Sequence, residues 1–117
     1  MAEECLQQLK QRLRAFARAR DWEQFHSPKN LSMAMIAECA ELVEHFQWLS
    51  EEQSLDLSQE KRQAVRLELA DILIYLVRCA DRLDVDLIAA ANEKIEINEQ
   101  RYPAARVYGD ARRSDEY

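Results

Sequence analysis

Apolar residues recur every three or four positions over four long stretches of the chain, which is the period of an α-helix with one buried face. Ser27 followed by Pro28 is a typical helix start, Ser58 fits the cap position of a later helix, and Pro103 closes the last stretch. The pattern predicts four helices, over about residues 2–20, 28–49, 59–83 and 87–101.

The composition favours helices over strands. One glycine and two prolines among 117 residues leave few positions for the tight turns of a β-rich fold, so we expect an all-α class. A chain of this length supports one hydrophobic core. We therefore expect a single helical domain over residues 1–103, followed by a polar C-terminal tail over residues 104–117.

The third predicted helix is apolar almost all the way round. Its main apolar stripe is predicted at Val65, Leu69, Ile72, Leu76, Cys79 and Leu83. Leu73, Ile74 and Val77 add apolar surface on the other faces, as in a helix that is buried on all sides. One chain of four helices has little material to cover such a helix, so we expect the four-helix bundle to assemble as an oligomer.

Two of the predicted helices each carry a pair of acids three residues apart. Glu38 and Glu41 lie on the second helix, and Glu68 and Asp71 lie on the third. Residues at this spacing share a helix face, so two such helices packed side by side would bring four carboxylates together. Converging acids repel one another unless a cation compensates, and Mg²⁺ or Mn²⁺ prefers such oxygen ligands and also binds phosphate oxygens. Metal-dependent chemistry on a phosphate ester or anhydride is therefore a candidate function. From the spacing alone, acids on a solvated helix face remain the commoner explanation.

Two tryptophans stand beside polar or acidic positions. Trp22 lies in the break before the second helix, and Trp48 continues the line of acids on that helix. A tryptophan is most often a core anchor, but these two could hold a flat base between them, with His26 supplying a hydrogen bond.

The charge and the apolar runs exclude other classes of partner. A net charge of −6 argues against binding the phosphate backbone of a nucleic acid. No apolar run approaches the length of a membrane span, and no signal-peptide pattern is present, so we expect a cytoplasmic protein without a membrane partner.

The two acid pairs form an ExxE…ExxD pattern that resembles the signature of the MazG-like nucleoside triphosphate pyrophosphohydrolases. The stretches "RDWEQFHSPKNL", "ELVEHFQW", "ELADILIYLV" and "NEQRYP" are similar to those of the dCTP pyrophosphatases within that group. The likeness covers about residues 10–103. One departure is that Ala37 and Ala40 stand where the similar sequences have glycine.

The resemblance implies an all-α, four-helix MazG-like bundle that forms a homodimer or a dimer of dimers. It implies Mg²⁺-dependent cleavage between the α and β phosphates of a nucleoside triphosphate, with a preference for dCTP or a modified dCTP. The metal ligands it implies are Glu38, Glu41, Glu68 and Asp71, with Glu41 or Glu38 orienting the attacking water. The substrate-binding residues it implies are Trp22, His26 and Trp48 around the base, Tyr75 near the sugar or phosphates, and Lys94, Asn98, Arg101 and Tyr102 on the phosphate side.

Two other functions fit parts of the pattern. A di-iron or di-manganese carboxylate bundle usually has two ExxH motifs, and this chain has one such string, from Glu23 to His26, close to Pro28. An oligomeric helical interaction module with solvated acids would bind no cation tightly and would gain no heat stability from nucleotides. The coincidence of two acid pairs, two tryptophans and the cations Lys94 and Arg101 on the fourth helix favours the enzyme over both.

Overall fold

The computed structural model describes residues 5–112, and every regular element among them is helical. The elements in chain order are α1 (Leu6–Ala19), a 3₁₀ turn (Glu23–Phe25), α2 (Pro28–Glu44), α3 (Glu51–Ser54), α4 (Gln59–Arg82), α5 (Leu87–Arg101) and α6 (Ala104–Val107). The predicted all-α class is confirmed. The four predicted helices correspond to α1, α2, α4 and α5.

The chain divides into two compact units, the first ending at Asp84 and the second beginning at Val85. In the first unit, α4 packs against α2 and also contacts α1. Its buried apolar residues, within the part of the chain that the structure describes, are Ala17, Leu31, Val65, Val77 and Ala80. The second unit contains α5 and α6. The predicted domain boundary at residue 103 stays a prediction.

Side-chain caps fix where three of the helices begin. The Ser27 hydroxyl accepts a hydrogen bond from the Asn30 backbone N–H at 3.1 Å, and Pro28 occupies the first helical turn of α2. The Ser58 hydroxyl accepts from the Lys61 backbone N–H at 3.1 Å at the start of α4. Asp86 caps α5 in the same way. The predicted starts of these helices at residues 28, 59 and 87 are therefore confirmed.

The predicted end of the second helix at residue 49 is wrong, because α2 ends at Glu44. Beyond that residue the backbone tightens to hydrogen bonds three residues apart, such as Phe46 N–H to Val43 O at 2.9 Å. Ser50 is extended and shares reciprocal hydrogen bonds with Gln53, so it begins the short helix α3, which was not predicted.

Many large apolar side chains of the first unit are exposed on the single chain. On α2, Met33, Ile36 and Val43 are exposed, and on α4 so are Leu69, Leu73 and Leu76. Each trio is spaced at three, four or seven residues and so forms a stripe along its helix. Among the described residues, no helix combines the length and the apolar character that crossing a bilayer would require.

Candidate functional site

Three of the predicted acids converge where α2 packs against α4. Glu38 and Glu41 lie one turn apart on α2, and Glu68 faces them from α4. Each offers a carboxylate oxygen, and these three oxygens all lie within 4.8 Å of one another. We call these three residues the acid cluster. Helix packing therefore holds three carboxylates at a spacing that a single cation could span.

Two oxygens of the acid cluster are buried without a hydrogen bond. Oε2 of Glu38 and Oε2 of Glu68 find no donor among residues 5–112. Burial is the main reason that the pKa of Glu38 is raised to about 7, and proton sharing with Glu41 and Glu68 adds to the shift. A buried carboxylate oxygen without a partner is costly, so the cluster needs either a proton or a cation. Its all-oxygen ligand set fits a hard divalent cation such as Mg²⁺ or Mn²⁺.

Asp71 lies one turn beyond Glu68 on α4 and is not one of the three close carboxylates. Its negative charge contributes to the raised pKa of Glu38, so it belongs to the same electrostatic environment. Asp71 also lines a neighbouring cavity. It therefore connects the acid cluster with that cavity.

The cavity has a volume of about 230 Å³ and lies between α1, the 3₁₀ turn and α4. Its walls combine aromatic, apolar and charged side chains, which is typical of a small-molecule site. The lining residues are Leu13, Phe16, Ala17, Trp22, His26, Asp71, Ile74, Tyr75 and Arg78. Three of the predicted substrate-binding residues, Trp22, His26 and Tyr75, thus come together beside a predicted metal ligand.

Trp22 is positioned by the way α1 ends. Asp21 adopts a left-handed backbone conformation, with φ at 54°. The Trp22 N–H then reaches back to the Ala17 carbonyl at 2.9 Å, and the Asp21 N–H reaches the Arg18 carbonyl at 3.1 Å, which together form a Schellman motif. This turn places the indole edge-on to Phe16, with ring centroids 5.8 Å apart. Two aromatic rings therefore form one wall of the cavity.

His26 joins the cavity through a buried network of charged residues. Its Nδ1 accepts a hydrogen bond from Nε of Arg78 at 3.3 Å. Arg78 also donates from Nη1 to Asp81 at 3.2 Å, and Asp81 accepts two hydrogen bonds from Arg14, at 2.7 and 2.6 Å. Burial, followed by the charges of Arg78 and Arg82, lowers the pKa of His26, so this histidine is neutral near pH 7.

The structure does not bring every predicted site residue to the cavity. Trp48 lies beyond the end of α2, is 87% exposed and is not among the lining residues. Its predicted position on the acid stripe of a continuous second helix is therefore wrong, because the helix ends four residues earlier.

The four predicted phosphate-side residues lie in the second unit. Lys94, Asn98 and Arg101 are on α5, and Tyr102 is its C-terminal cap. The Tyr102 N–H donates to the Asn98 carbonyl at 2.8 Å, and the Arg101 guanidinium lies 5.5 Å from the centre of the Tyr102 ring. These contacts order the C-terminal end of α5, and the phosphate-binding role of the four residues stays a prediction.

Arg78 is the main lining residue that the sequence analysis missed. It is only 2% exposed, although it carries a charge. One signal was available in the sequence. Asp71, Tyr75 and Arg78 are spaced four and three residues apart, so the helix face that carries the acids of α4 continues to a basic side chain. Phe16 on α1 also lines the cavity and was not among the predicted site residues.

The chain is similar in sequence to a known family and to named proteins. The MazG-like family model matches residues 33–115. Human (Homo sapiens) dCTP pyrophosphatase 1 is 45% identical over 103 residues, which are 86% of this chain and 61% of that protein. The rat (Rattus norvegicus) protein of the same name is 49% identical over 98 residues, or 82% of this chain and 58% of that protein. This chain therefore spans about three fifths of the length of these curated relatives.

A solved structure shares the fold. The crystal structure of a pyrophosphatase from Archaeoglobus fulgidus superimposes with a TM-score of 0.81 and 36% sequence identity. The match covers 88% of this chain and 96% of the archaeal one.

Proposed function

Because the chain belongs to the MazG-like family, we propose that it is a divalent-metal-dependent nucleoside triphosphate pyrophosphohydrolase. The proposed reaction adds water across the bond between the α and β phosphates and releases a nucleoside monophosphate and pyrophosphate. The observation that carries the proposal is the pair of buried carboxylate oxygens, on Glu38 and Glu68, that lack a hydrogen-bond donor among residues 5–112 beside an aromatic cavity. The names of the relatives, dCTP pyrophosphatase 1 and a pyrophosphatase, support the same reaction class.

In this proposal the acid cluster and Asp71 hold the cation, which is Mg²⁺, with Mn²⁺ as the alternative. A cation bound there would neutralise phosphate charge and lower the pKa of a bound water. Glu38 and Glu68 suit permanent ligation, because their buried oxygens have no other partner within the described chain. Asp71 extends the negative charge toward the cavity.

Glu41 is the proposed general base. It is the one exposed member of the acid cluster, so its carboxylate can reach a water molecule and accept a proton from it. Glu38 is the other candidate, since a pKa of about 7 in the metal-free chain lies in the range that general bases use. The metal would hold that group ionised, so we assign Glu38 mainly to ligation.

The cavity is the proposed base site. Trp22 and Phe16 provide aromatic surface for stacking, Tyr75 lies one turn along α4 from Asp71, and His26 offers a hydrogen bond. A preference for dCTP or a modified dCTP is supported by the names of the curated relatives. Trp48 is retained as a predicted base contact, and Lys94, Asn98, Arg101 and Tyr102 as predicted phosphate contacts.

A homodimer or a dimer of dimers is the proposed assembly, with the main helices forming a four-helix MazG-like bundle. Exposed apolar stripes on both α2 and α4 support it. Few residues of the described chain are buried, so covering these stripes in an assembly would add stability.

The test is pyrophosphate release from a panel of deoxy- and ribonucleoside triphosphates, measured with Mg²⁺ and with EDTA. We expect metal-dependent release of equal amounts of monophosphate and pyrophosphate, fastest with dCTP or a modified dCTP. Release of orthophosphate would contradict the cleavage position. Failure to hydrolyse any triphosphate would contradict the proposed function and favour an interaction module.

A further inference from the structure

We propose that Arg78 determines base specificity in the cavity, donating from Nη2 to one acceptor on a pyrimidine ring while Nε2–H of His26 donates to the neighbouring acceptor. The pair of donors selects a base that presents two adjacent acceptors, such as O2 and N3 of cytosine. This inference rests on the proposed function, since it takes the cavity to be the base site.

Arg78 is buried, and one of its guanidinium nitrogens has no hydrogen-bond partner among residues 5–112. The side chain is 2% exposed and lines the cavity. Its Nε donates to His26 and its Nη1 to Asp81, but Nη2 finds no acceptor among residues 5–112. Buried donors are almost always paired, because leaving one unpaired forfeits its hydrogen bonds to water. A ligand in the cavity that carries a carbonyl or ring-nitrogen acceptor would give Nη2 the hydrogen bond that it lacks.

Arg78 shares its carboxylate partner with a second guanidinium group, so its positive charge is only partly compensated. Asp81 is shared between Arg78 and Arg14, so one carboxylate faces two guanidinium groups. The two fixed contacts to His26 and Asp81 also hold the planar guanidinium in one orientation. A fixed, charged donor in a buried site forms strong hydrogen bonds with neutral acceptors.

His26 supplies the second donor. Its Nδ1 is the acceptor for Arg78, so the neutral ring carries its proton on Nε2. Burial and the nearby guanidinium charges lower the pKa of His26, which favours this neutral form. The hydrogen bond that the structure shows for the His26 ring is the one at Nδ1, and His26 lines the cavity, so Nε2–H is the ring donor left for a ligand there.

Two donors distinguish cytosine from thymine and uracil. Cytosine offers O2 and N3 as adjacent acceptors. Thymine and uracil carry N3–H, which would set a donor against a donor in the site. Sites built to match a hydrogen-bonding pattern discriminate strongly, because the wrong ligand leaves buried groups unpaired.

The test measures the binding of the monophosphates dCMP and dTMP by isothermal titration calorimetry, which does not depend on hydrolysis. We expect the wild-type chain to bind dCMP at least about tenfold more tightly than dTMP. Arg78→Met, which keeps the length of the side chain but removes its donors, is expected to weaken dCMP binding by about 10- to 100-fold and to change dTMP binding little. Arg62→Met changes an exposed arginine on α4 that does not line the cavity, so it serves as the matched control and should keep the preference.

Equal losses for both nucleotides, or an unchanged preference in Arg78→Met, would overturn the inference. A second measurement leaves the protein unaltered: 3-deaza-dCMP, which lacks the N3 acceptor, should bind at least about tenfold more weakly than dCMP. Equal binding of these two ligands would also overturn the inference. If the wild-type chain prefers dCMP but releases no pyrophosphate from any triphosphate, the proposed function is contradicted. The role of Arg78 in base recognition is then still supported.

Discussion

Glu38 on α2 and Glu68 on α4 offer carboxylate oxygens within 4.8 Å of each other, and each also buries an Oε2 atom that no donor within residues 5–112 reaches. The packing of α2 against α4 imposes this proximity. Since the two acids repel each other when both are ionised, the folded chain gains stability from anything that removes or compensates one charge. A proton and a divalent cation can both do so, and they compete for the same oxygens.

The metal-free chain is therefore expected to lose stability as the pH rises from about 4.5 to about 7. The pKa of Glu38 is raised from 4.5 to about 7, so between these values the folded state holds a proton that the unfolded chain has released. Raising the pH through this window then lowers the free energy of unfolding, by about 1 to 3 kcal/mol. Urea unfolding in EDTA at several pH values measures this loss, and saturating Mg²⁺ should remove it.

Glu38→Gln is the control for that measurement. The lowered pKa of His26 acts in the opposite direction below pH 6.5, because the folded state then releases a proton that the unfolded chain keeps. The free energy of unfolding is measured against pH for both proteins. Subtracting the values for Glu38→Gln from those for the wild type isolates the contribution of Glu38. Parallel profiles in EDTA would show that Glu38 holds no extra proton in the folded chain.

Glu41→Gln is expected to abolish pyrophosphate release while leaving the fold intact. Loss of a general base typically lowers turnover by about 10²- to 10⁴-fold. Glu41 is exposed, so the free energy of unfolding should change by less than about 0.5 kcal/mol. Steady-state kinetics and urea unfolding measure the two effects.

Glu44→Gln is the matched control for Glu41→Gln, because Glu44 is also exposed on α2 but lies outside the acid cluster. It should keep wild-type turnover. Wild-type turnover in Glu41→Gln would remove Glu41 from the catalytic site.

The spacing of the acids was sufficient to predict that the three residues of the acid cluster come together. It was not sufficient to predict that Arg78 lines the cavity. Two acids three residues apart share a face of any α-helix, so the sequence specifies that part of the site once the helices pack. On α4, which is apolar nearly all round, periodicity gives no unique buried face. Leu69 and Leu83 of the predicted stripe are exposed on the single chain, whereas Val77 and Arg78 are buried. Tertiary packing decided which face of α4 turned inward.

The position of Trp48 was unpredictable for a different reason. Residues 45–49 contain neither glycine nor proline, so nothing in their composition marks the end of α2. The end is set by Ser50, which adopts an extended conformation to cap α3. A capping serine inside a run of acids and glutamines is a weak signal, so the sequence predicts a longer helix than the structure shows.

Asp81→Ala is expected to lower the free energy of unfolding by about 3 kcal/mol, because it removes the carboxylate that the buried Arg78 contacts within residues 5–112. Hydrogen bonds from Arg14 are the main reason that the pKa of Asp81 is lowered from 3.8. The stability that Asp81 contributes is thus present above pH 3.8 and is lost as the pH falls below it. Urea unfolding at pH 7 measures the effect of the substitution.

Glu23→Gln is the comparison for Asp81→Ala, since it breaks the more exposed ion pair between Arg18 and Glu23, at 3.2 Å. Its cost should not exceed about 1 kcal/mol. Equal costs for the two substitutions would show that the buried network contributes no more than a surface ion pair.

Trp22→Ala is expected to raise KM by about tenfold or more with a smaller effect on kcat. Stacking on an aromatic ring contributes about 1 to 3 kcal/mol per base, and it acts on substrate and transition state alike. Trp48→Ala should raise KM in the same way if Trp48 stacks on the base as predicted. An unchanged KM in Trp48→Ala would exclude Trp48 from the base site, and a pure kcat defect in Trp22→Ala would place the indole at the metal instead.

Leu73→Glu is expected to dissociate the oligomer without unfolding the helices. Leu73 lies at the middle of the apolar stripe on α4 and is 39% exposed on the single chain, so a charge there would be buried only in an assembly. Light scattering coupled to size-exclusion chromatography should give a multiple of 13.7 kDa for the wild type and a smaller mass for the variant, with unchanged far-ultraviolet circular dichroism. Leu55→Glu is the matched control, because Leu55 is 88% exposed in the connection after α3 and belongs to neither stripe. A wild-type chain that is monomeric at micromolar concentration would contradict the proposed assembly, and the exposed stripes would then need another partner.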